Sequence, residues 1–307
     1  MFQQLLVPLD GSKLAESVLP TAAWLSEKLG AAVTLIHIIE QDAPQEVHGD
    51  RHLTSDEEAC RYLSAIEESR FPAGNVTSHV HTEKVQDVAR SIADHSGELQ
   101  PDLIVMCTHG ETGWRDIVAG SIAQQVIGHS DAPILLIHPV EGEQDQAHPG
   151  ASDPGAGFKK AMVALDASPE HEAALPVAAE LASKLGISLH LLTVVYTLGS
   201  LPGERAATGW MLPNTTRAML DMVEETAAER LEALADIWRA TGLTVTTEVR
   251  RGDPVQQILA GAKSAEVGMI VLATHGKAGM NAFWSGSVGP KVVSSTHLPV
   301  LLIPIKK

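Results

Sequence analysis

The sequence predicts an α/β protein made of two repeated domains, each an open, five-stranded parallel sheet with helices on both faces. Three observations predict it. Short runs nearly continuous in Val, Ile and Leu alternate with longer segments whose apolar residues recur at helical spacing, the pattern of buried parallel strands between amphipathic helices. The opening "LVPLDGS" at Leu6–Ser12 is answered by "MVALDAS" at Met162–Ser168, 156 residues on, and such self-similarity is the mark of a duplicated unit. At 307 residues the chain is also longer than one core comfortably fills, which favours two domains of about 150 residues.

In the first copy "QLLVPL" has strand length, and "KLAESVLPTAAWLSEKLG" spaces its apolar residues as a helix that stops on Gly30. The strand "AVTLIHII" follows, then a helix over roughly 54–69, the strand "VTSHVHT", a helix over about 84–96 and the strand "DLIVMC". A helix opening at Gly120-Ser121 and the strand "PILLIH" complete the copy. The second copy repeats the order with "AMVALD", "SLHLLTVV", "TVTTEVR", "GMIVLA" and "PVLLIP". The offset of 156 still holds for "EKLG" at 27–30 against "SKLG" at 183–186, but becomes 166 at His109 against His275 and at Pro133 against Pro299. The second copy therefore gains residues, chiefly around "TLGSLPGERAATGWMLPN". Between the copies "EGEQDQAHPGASDPGAG" offers almost nothing to pack. The expected boundaries are a first domain at 1–140, a linker at 141–157 and a second domain at 158–307.

Composition narrows the function classes. The formal net charge is −16, from 38 acidic and 22 basic residues, a field that repels a nucleic-acid backbone. No apolar run approaches the roughly 20 residues of a membrane span, and no basic leader precedes an apolar stretch. Two cysteines, Cys60 and Cys107, make neither a disulfide framework nor a zinc knuckle. A cytoplasmic protein is expected.

The chemistry gathers in one repeated loop. "CTHGETGWRDIVAGS", Cys107–Ser121, returns as "ATHGKAGMNAFWSGS", Ala273–Ser287, with six of fifteen positions identical. Both loops leave the carboxyl end of a predicted strand, where ligands sit in open parallel sheets. Gly110 and Gly276 permit unusual backbone angles, while Gly120-Ser121 and Gly286-Ser287 fall at the first turn of the next helix. Free N–H groups and the positive end of a helix dipole make that turn an anion cradle. Asp10 and Asp166, at the ends of the first strands, face the same crevice, although an Asp-x-Ser there also fits a simple helix start. Neither GxxxxGK[ST] nor GxGxxG is present.

These residues closely resemble the universal stress protein family, whose motif is G-x2-G-x9-G-[ST], and the resemblance covers both halves. It implies a tandem universal stress protein of Rossmann-like, adenine nucleotide alpha hydrolase-like fold, with ATP held by the loop after strand four. Carried over by position, the motif falls on Gly110, Gly120 and Ser121 in the first half and on Gly276, Gly286 and Ser287 in the second. Asp10 and Asp166 match the strand-one aspartate, and Ile38 and Val194 the apolar residue near the adenine. The first motif glycine is replaced by Cys107 in one copy and by Ala273 in the other. A side chain there narrows the approach of a nucleotide, and alanine costs least. Glu111 would set a carboxylate near the phosphates where Lys277 sets an ammonium, so the second half is favoured, unless Mg²⁺ reverses the meaning of Glu111. The resemblance further implies ATP with Mg²⁺, a role in stress tolerance or signalling without a defined metabolic reaction, and pairing of the last strands into an internal pseudo-dimer. A homodimer of the whole chain is a further expectation.

Two other functions stay open: a nucleotide-free interaction module of the same fold, and a slow ATPase or self-phosphorylating protein acting through Ser121 or Ser287. No general base is evident in sequence near either serine. His79 and His81 share one face of a strand and His48 and His52 are four apart, but a closed metal site needs further ligands that sequence does not supply. Cys107, with Ala273 as its counterpart, reads as a small buried hydrophobe rather than a nucleophile. The segment "EETAAERLEALADIWRA" reads as a helix with a solvated charged face.

Overall fold

A computed structural model describes residues 1–72, 74–108, 122–139, 157–166, 168–274 and 288–305, side chains of 204–206 apart. The chain divides into two compact units, the first taking residues up to 157 with 297–306, the second mainly residues 158–274.

In the first unit the strands are β1 (Gln4–Pro8), β2 (Ala32–Glu40), β5 (Val76–Val85), β6 (Leu103–Cys107) and β7 (Ile134–Ile137). All their pairings are parallel, in the order β5-β2-β1-β6-β7. A small antiparallel hairpin, β3 (Glu46–Val47) with β4 (Asp50–Arg51), interrupts the chain after β2. β6 and β7 are buried throughout, as expected of strands covered on both faces. The carboxylate of Asp102 accepts the backbone N–H groups of Gln3 at 2.6 Å and Gln4 at 3.2 Å, fixing the start of β1 beside that of β6. The C-terminal strand β12 (Val300–Pro304) also belongs to this unit, antiparallel to β7 with Val300 opposite Leu136 and Leu302 opposite Ile134.

The second unit repeats the arrangement with β8 (Lys160–Leu165), β9 (Ser188–Val195), β10 (Val245–Arg251) and β11 (Met269–Thr274), parallel in the order β10-β9-β8-β11. The gained residues form a helix Glu204–Met211 and lengthen the next into Pro213–Arg239, of 27 residues.

Local chemistry sets the element ends. The helix expected over 13–30 breaks into Lys13–Glu16 and Leu19–Leu29, because Pro20 in the second helix's first turn lacks an N–H to bond backwards. Gly30 and its counterpart Gly186 close their helices in the left-handed conformation, at φ 65° and 67°. The strand "VTSHVHT" runs on to Val85, and the helix after it occupies Val88–Leu99 rather than 84–96. Asp87 decides that start, its carboxylate accepting the N–H of Arg90 at 2.9 Å.

Candidate functional site

In each copy the first strand ends in Asp-x-Ser, and the carboxylate folds back on the serine. Asp10 Oδ1 accepts from the Ser12 N–H at 2.8 Å and from its hydroxyl at 2.6 Å, while Ser12 Oγ accepts the N–H of Ala15 at 3.1 Å. Asp166 Oδ1 does the same for Ser168 at 3.0 Å and 2.7 Å, and Ser168 Oγ caps the N–H of His171 at 3.4 Å. The serine thus serves the helix, and the aspartate holds the serine. The carboxylate remains at the mouth of the strand ends, where the sequence expects it.

The two crevices then diverge. In the first, the segment after β2 folds over the strand ends. Gly11 meets Leu53 so closely that an added Cβ would lie 2.8 Å from its side chain. His52 is buried, its Nε2 3.9 Å from the Glu40 carboxylate and its Nδ1 without a partner among the described residues. His48 comes within 3.8 Å of Asp10. Buried His37 donates from Nδ1 to the carbonyl of Leu9 at 2.8 Å, tying the end of β2 to that of β1, and burial lowers its pKa. What remains is a pocket of about 100 Å³ lined by Asp10, Ile38, His52, Met106 and Cys107 among others. Ligand pockets usually offer about 300–1,000 Å³. Burial pushes the Cys107 thiol up to about 12, with Asp10 adding to the effect, so it is a packing residue and not a thiolate nucleophile at neutral pH.

In the second crevice Asp166 is 58% exposed, against 28% for Asp10, and Val194 and Ala273 are half-buried where Ile38 and Cys107 are buried. A residue that sequence did not single out joins it. His171 stands 2.7 Å from Asp166 Oδ1 through Nδ1, whereas the equivalent position in the first copy is Ala15. Burial opposes ionisation of Asp166, but the hydrogen bonds from His171 and Ser168 outweigh it and hold the carboxyl at about 2. The same bond raises the pKa of His171 against its own burial. When the His171 imidazole is protonated, which the raised pKa favours, an anion beside Asp166 meets less net negative charge than at an isolated aspartate.

Asp10, Ile38 and Cys107 therefore converge on one crevice, and Asp166, Val194 and Ala273 hold the matching strand-end positions of β8, β9 and β11. The glycines and serines of the repeated loop, Gly110, Gly120, Ser121, Gly276, Gly286 and Ser287, lie outside the described residues, as do Glu111 and Lys277. His79 and His81 do share a face, with ring centroids 4.8 Å and 4.9 Å from that of His95 on the helix Val88–Leu99. Among the described residues no group of three His, Cys, Asp or Glu is placed to hold a metal ion, and no helix is long and apolar enough to cross a membrane.

Strand order 3-2-1-4, an Asp-x-Ser helix start after strand one and a crevice at the carboxyl ends define a doubly wound, Rossmann-like α/β protein. The model of the universal stress protein family matches residues 1–138 and 157–304, and the chain belongs to that family. Over 97% of its length it is 26% identical to a universal stress protein of Mycolicibacterium smegmatis, 96% of which is covered. A universal stress protein of Mycobacterium tuberculosis is 25% identical over 97% of this chain and 95% of its own. The crystal structure of a universal stress protein from Archaeoglobus fulgidus shares the fold, with a TM-score of 0.66 at 18% identity over 99% of this chain and 97% of that one.

Proposed function

We propose that this universal stress protein binds ATP with Mg²⁺, chiefly in the crevice of its second repeat, and acts in stress response or signalling in the cytoplasm. The observation that carries the preference is the contrast between the strand ends. Leu53, His52 and the Cys107 side chain crowd the first crevice, while Asp166, Val194 and Ala273 at the second are more exposed than their counterparts Asp10, Ile38 and Cys107. The residues there suit a nucleotide. Ala273 is the smallest side chain that replaces the first motif glycine, and Val194 offers an apolar wall. A protonated His171, 2.7 Å from Asp166, moderates its charge. Gly276, Gly286 and Ser287 would cradle the phosphates, as the repeated loop implies.

By repeat, the proposed domains are 1–140 and 158–307 about a linker at 141–157, the last strand of the second repeat belonging to the first compact unit. Pairing of β12 with β7, one strand from each repeat, supports an internal pseudo-dimer. The crowded first crevice also favours a second reading, in which that repeat is a scaffold without nucleotide.

Calorimetric titration of nucleotide-stripped protein with Mg-ATP tests the proposal. The expected outcome is one site per chain, abolished by Gly276→Val and unchanged by Gly110→Val. Absence of heat and of thermal stabilisation in the parent protein would make both repeats nucleotide-free scaffolds.

A further inference from the structure

The residues gained by the second repeat build an apolar surface that the fold leaves uncovered. The helix Glu204–Met211 is held against the unit through Gly209, where an added Cβ would lie 2.9 Å from Leu198 and 3.1 Å from Leu201. That close approach fixes the corner and turns Trp210, Met211 and Leu212 outward, with exposures of 64%, 81% and 60%. The helix Pro213–Arg239 continues from this corner. Its buried residues, Ala227, Leu231 and Ala235, form a stripe at four-residue spacing that packs on the unit. On one flank of the stripe, Met219 and Val223 stand one turn apart with Met222 beside them, 51% to 67% exposed. Ile237 returns to the same side about five turns after Met219. Thr226 and Arg230, the latter paired with Glu172, separate Ile237 from the others, so the exposed apolar side chains of this helix gather in its first turns at Met219, Met222 and Val223, and exposed apolar side chains gathered in this way mark an interaction site.

The opposite flank is acidic. Asp221, Glu225 and Glu232 line a groove between this helix and β10, and the helix carries six acidic residues against three arginines. Arg251 already engages Asp221 at 2.6 Å and Glu224, and Arg239 engages Glu232 at 2.7 Å and Asp236 at 2.9 Å. A second copy of this chain, also at net charge −16, would bring like charges together along the rim. A partner with apolar side chains on one face and Lys or Arg beside them would satisfy both flanks.

We propose that the flank formed by Trp210, Met211, Leu212, Met219, Met222 and Val223 docks a basic amphipathic helix of another protein. Methionine suits such a role because its unbranched, polarisable side chain adapts to the shape of what lies on it. The exposed tryptophan supplies the large anchor that interfaces commonly use. The partner helix would lay its apolar face on this surface and place its cations over the acidic side. The surface lies in neither strand-end crevice, and the proposal does not depend on nucleotide.

The test uses the full-length protein and a synthetic helical peptide of leucine and lysine, roughly 18 residues or five turns long with leucine at helical spacing. Titration calorimetry is expected to give saturable binding at one site per chain, and its absence overturns the proposal. The same peptide with glutamate for lysine, or with serine for leucine, is expected to bind at least about tenfold more weakly. The double substitution Met219→Asp and Met222→Asp is decisive, since it adds negative charge. Attraction by charge alone predicts tighter binding of the lysine peptide, whereas apolar docking predicts a loss of about tenfold or more. Unchanged thermal melting establishes that the variant is folded, and Trp210→Ser, outside the long helix, provides a second variant with the same expected loss. Equal or tighter binding by these variants overturns the proposal. So does a parent protein that sediments as a dimer and becomes monomeric on Met219→Asp and Met222→Asp, because the surface then belongs to a second copy.

Discussion

Replacing His171 should disturb the second crevice in a pH-dependent way whose sign follows from the two partners. The Asp166 carboxyl, held at about 2 instead of the ordinary 3.8, contributes stability that is present above 3.8 and lost as pH falls toward 2. The raised imidazole of His171 contributes stability that is full below the ordinary 6.5 and lost as pH rises through its raised value. The pair is therefore strongest between pH 3.8 and 6.5. At face value the displacement of Asp166 corresponds to about 2.4 kcal/mol. Asp166 is 58% exposed, and solvent screening reduces this to about 1 kcal/mol. In the native protein an NMR titration of the His171 ring should give a midpoint above 6.5, which Asp166→Asn returns toward the ordinary value. His171→Ala should lower stability by about 1 kcal/mol near pH 5.5 and by less near pH 8.5. A ring titrating at or below 6.5, or one indifferent to Asp166→Asn, would refute the coupling.

Two further outcomes are expected. In native protein an alkylating reagent near pH 8 should modify exposed Cys60 and spare Cys107, whose thiol is buried and pushed up to about 12; mass spectrometry of the labelled protein reads the difference, and prompt loss of Cys107 would mean that the first crevice is open. Burial lowers the pKa of His37, so the unfolded chain binds its proton first and stability falls as pH drops below 6.5. The thermal midpoint should decline between about pH 7 and pH 5, and less steeply in His37→Asn; a variant as acid-labile as the parent would place the effect on other groups.

The architecture is legible in the sequence because parallel strands buried on both faces write themselves as unbroken Val, Ile and Leu runs, as in "DLIVMC" and "SLHLLTVV". Gly30 and Gly186 mark equivalent helix ends for the same reason in both copies, since the left-handed cap favours glycine. Boundaries are less legible where one residue arbitrates, as Pro20 and Asp87 do. In the candidate site, the strand-end positions of Asp10 and Asp166 are legible, since they follow from the strands that precede them. It is not legible at His171, His52 and Leu53. No periodicity announces them, because their roles arise from segments that fold back over the strand ends, and only tertiary contact brings Leu53 onto Gly11. The exposed flank beyond Met211 was hidden for a similar reason: helical spacing in Pro213–Arg239 shows where apolar residues lie, but not which of them find something to cover them.

The antiparallel pairing of β12 with β7 also bears on how the protein is made. Leu136 waits for Val300, and Ile134 for Leu302, across more than half the chain. At about 5–20 residues per second, a ribosome needs on the order of ten seconds or more to supply that partner after β7 has emerged. During that interval the outer rim of the first sheet has its hydrogen-bonding groups unclaimed, a template for unwanted pairing with any extended segment nearby. The nascent first unit is thus vulnerable until the last strand arrives, and a chain cut short before Val300 would carry that open rim for its lifetime.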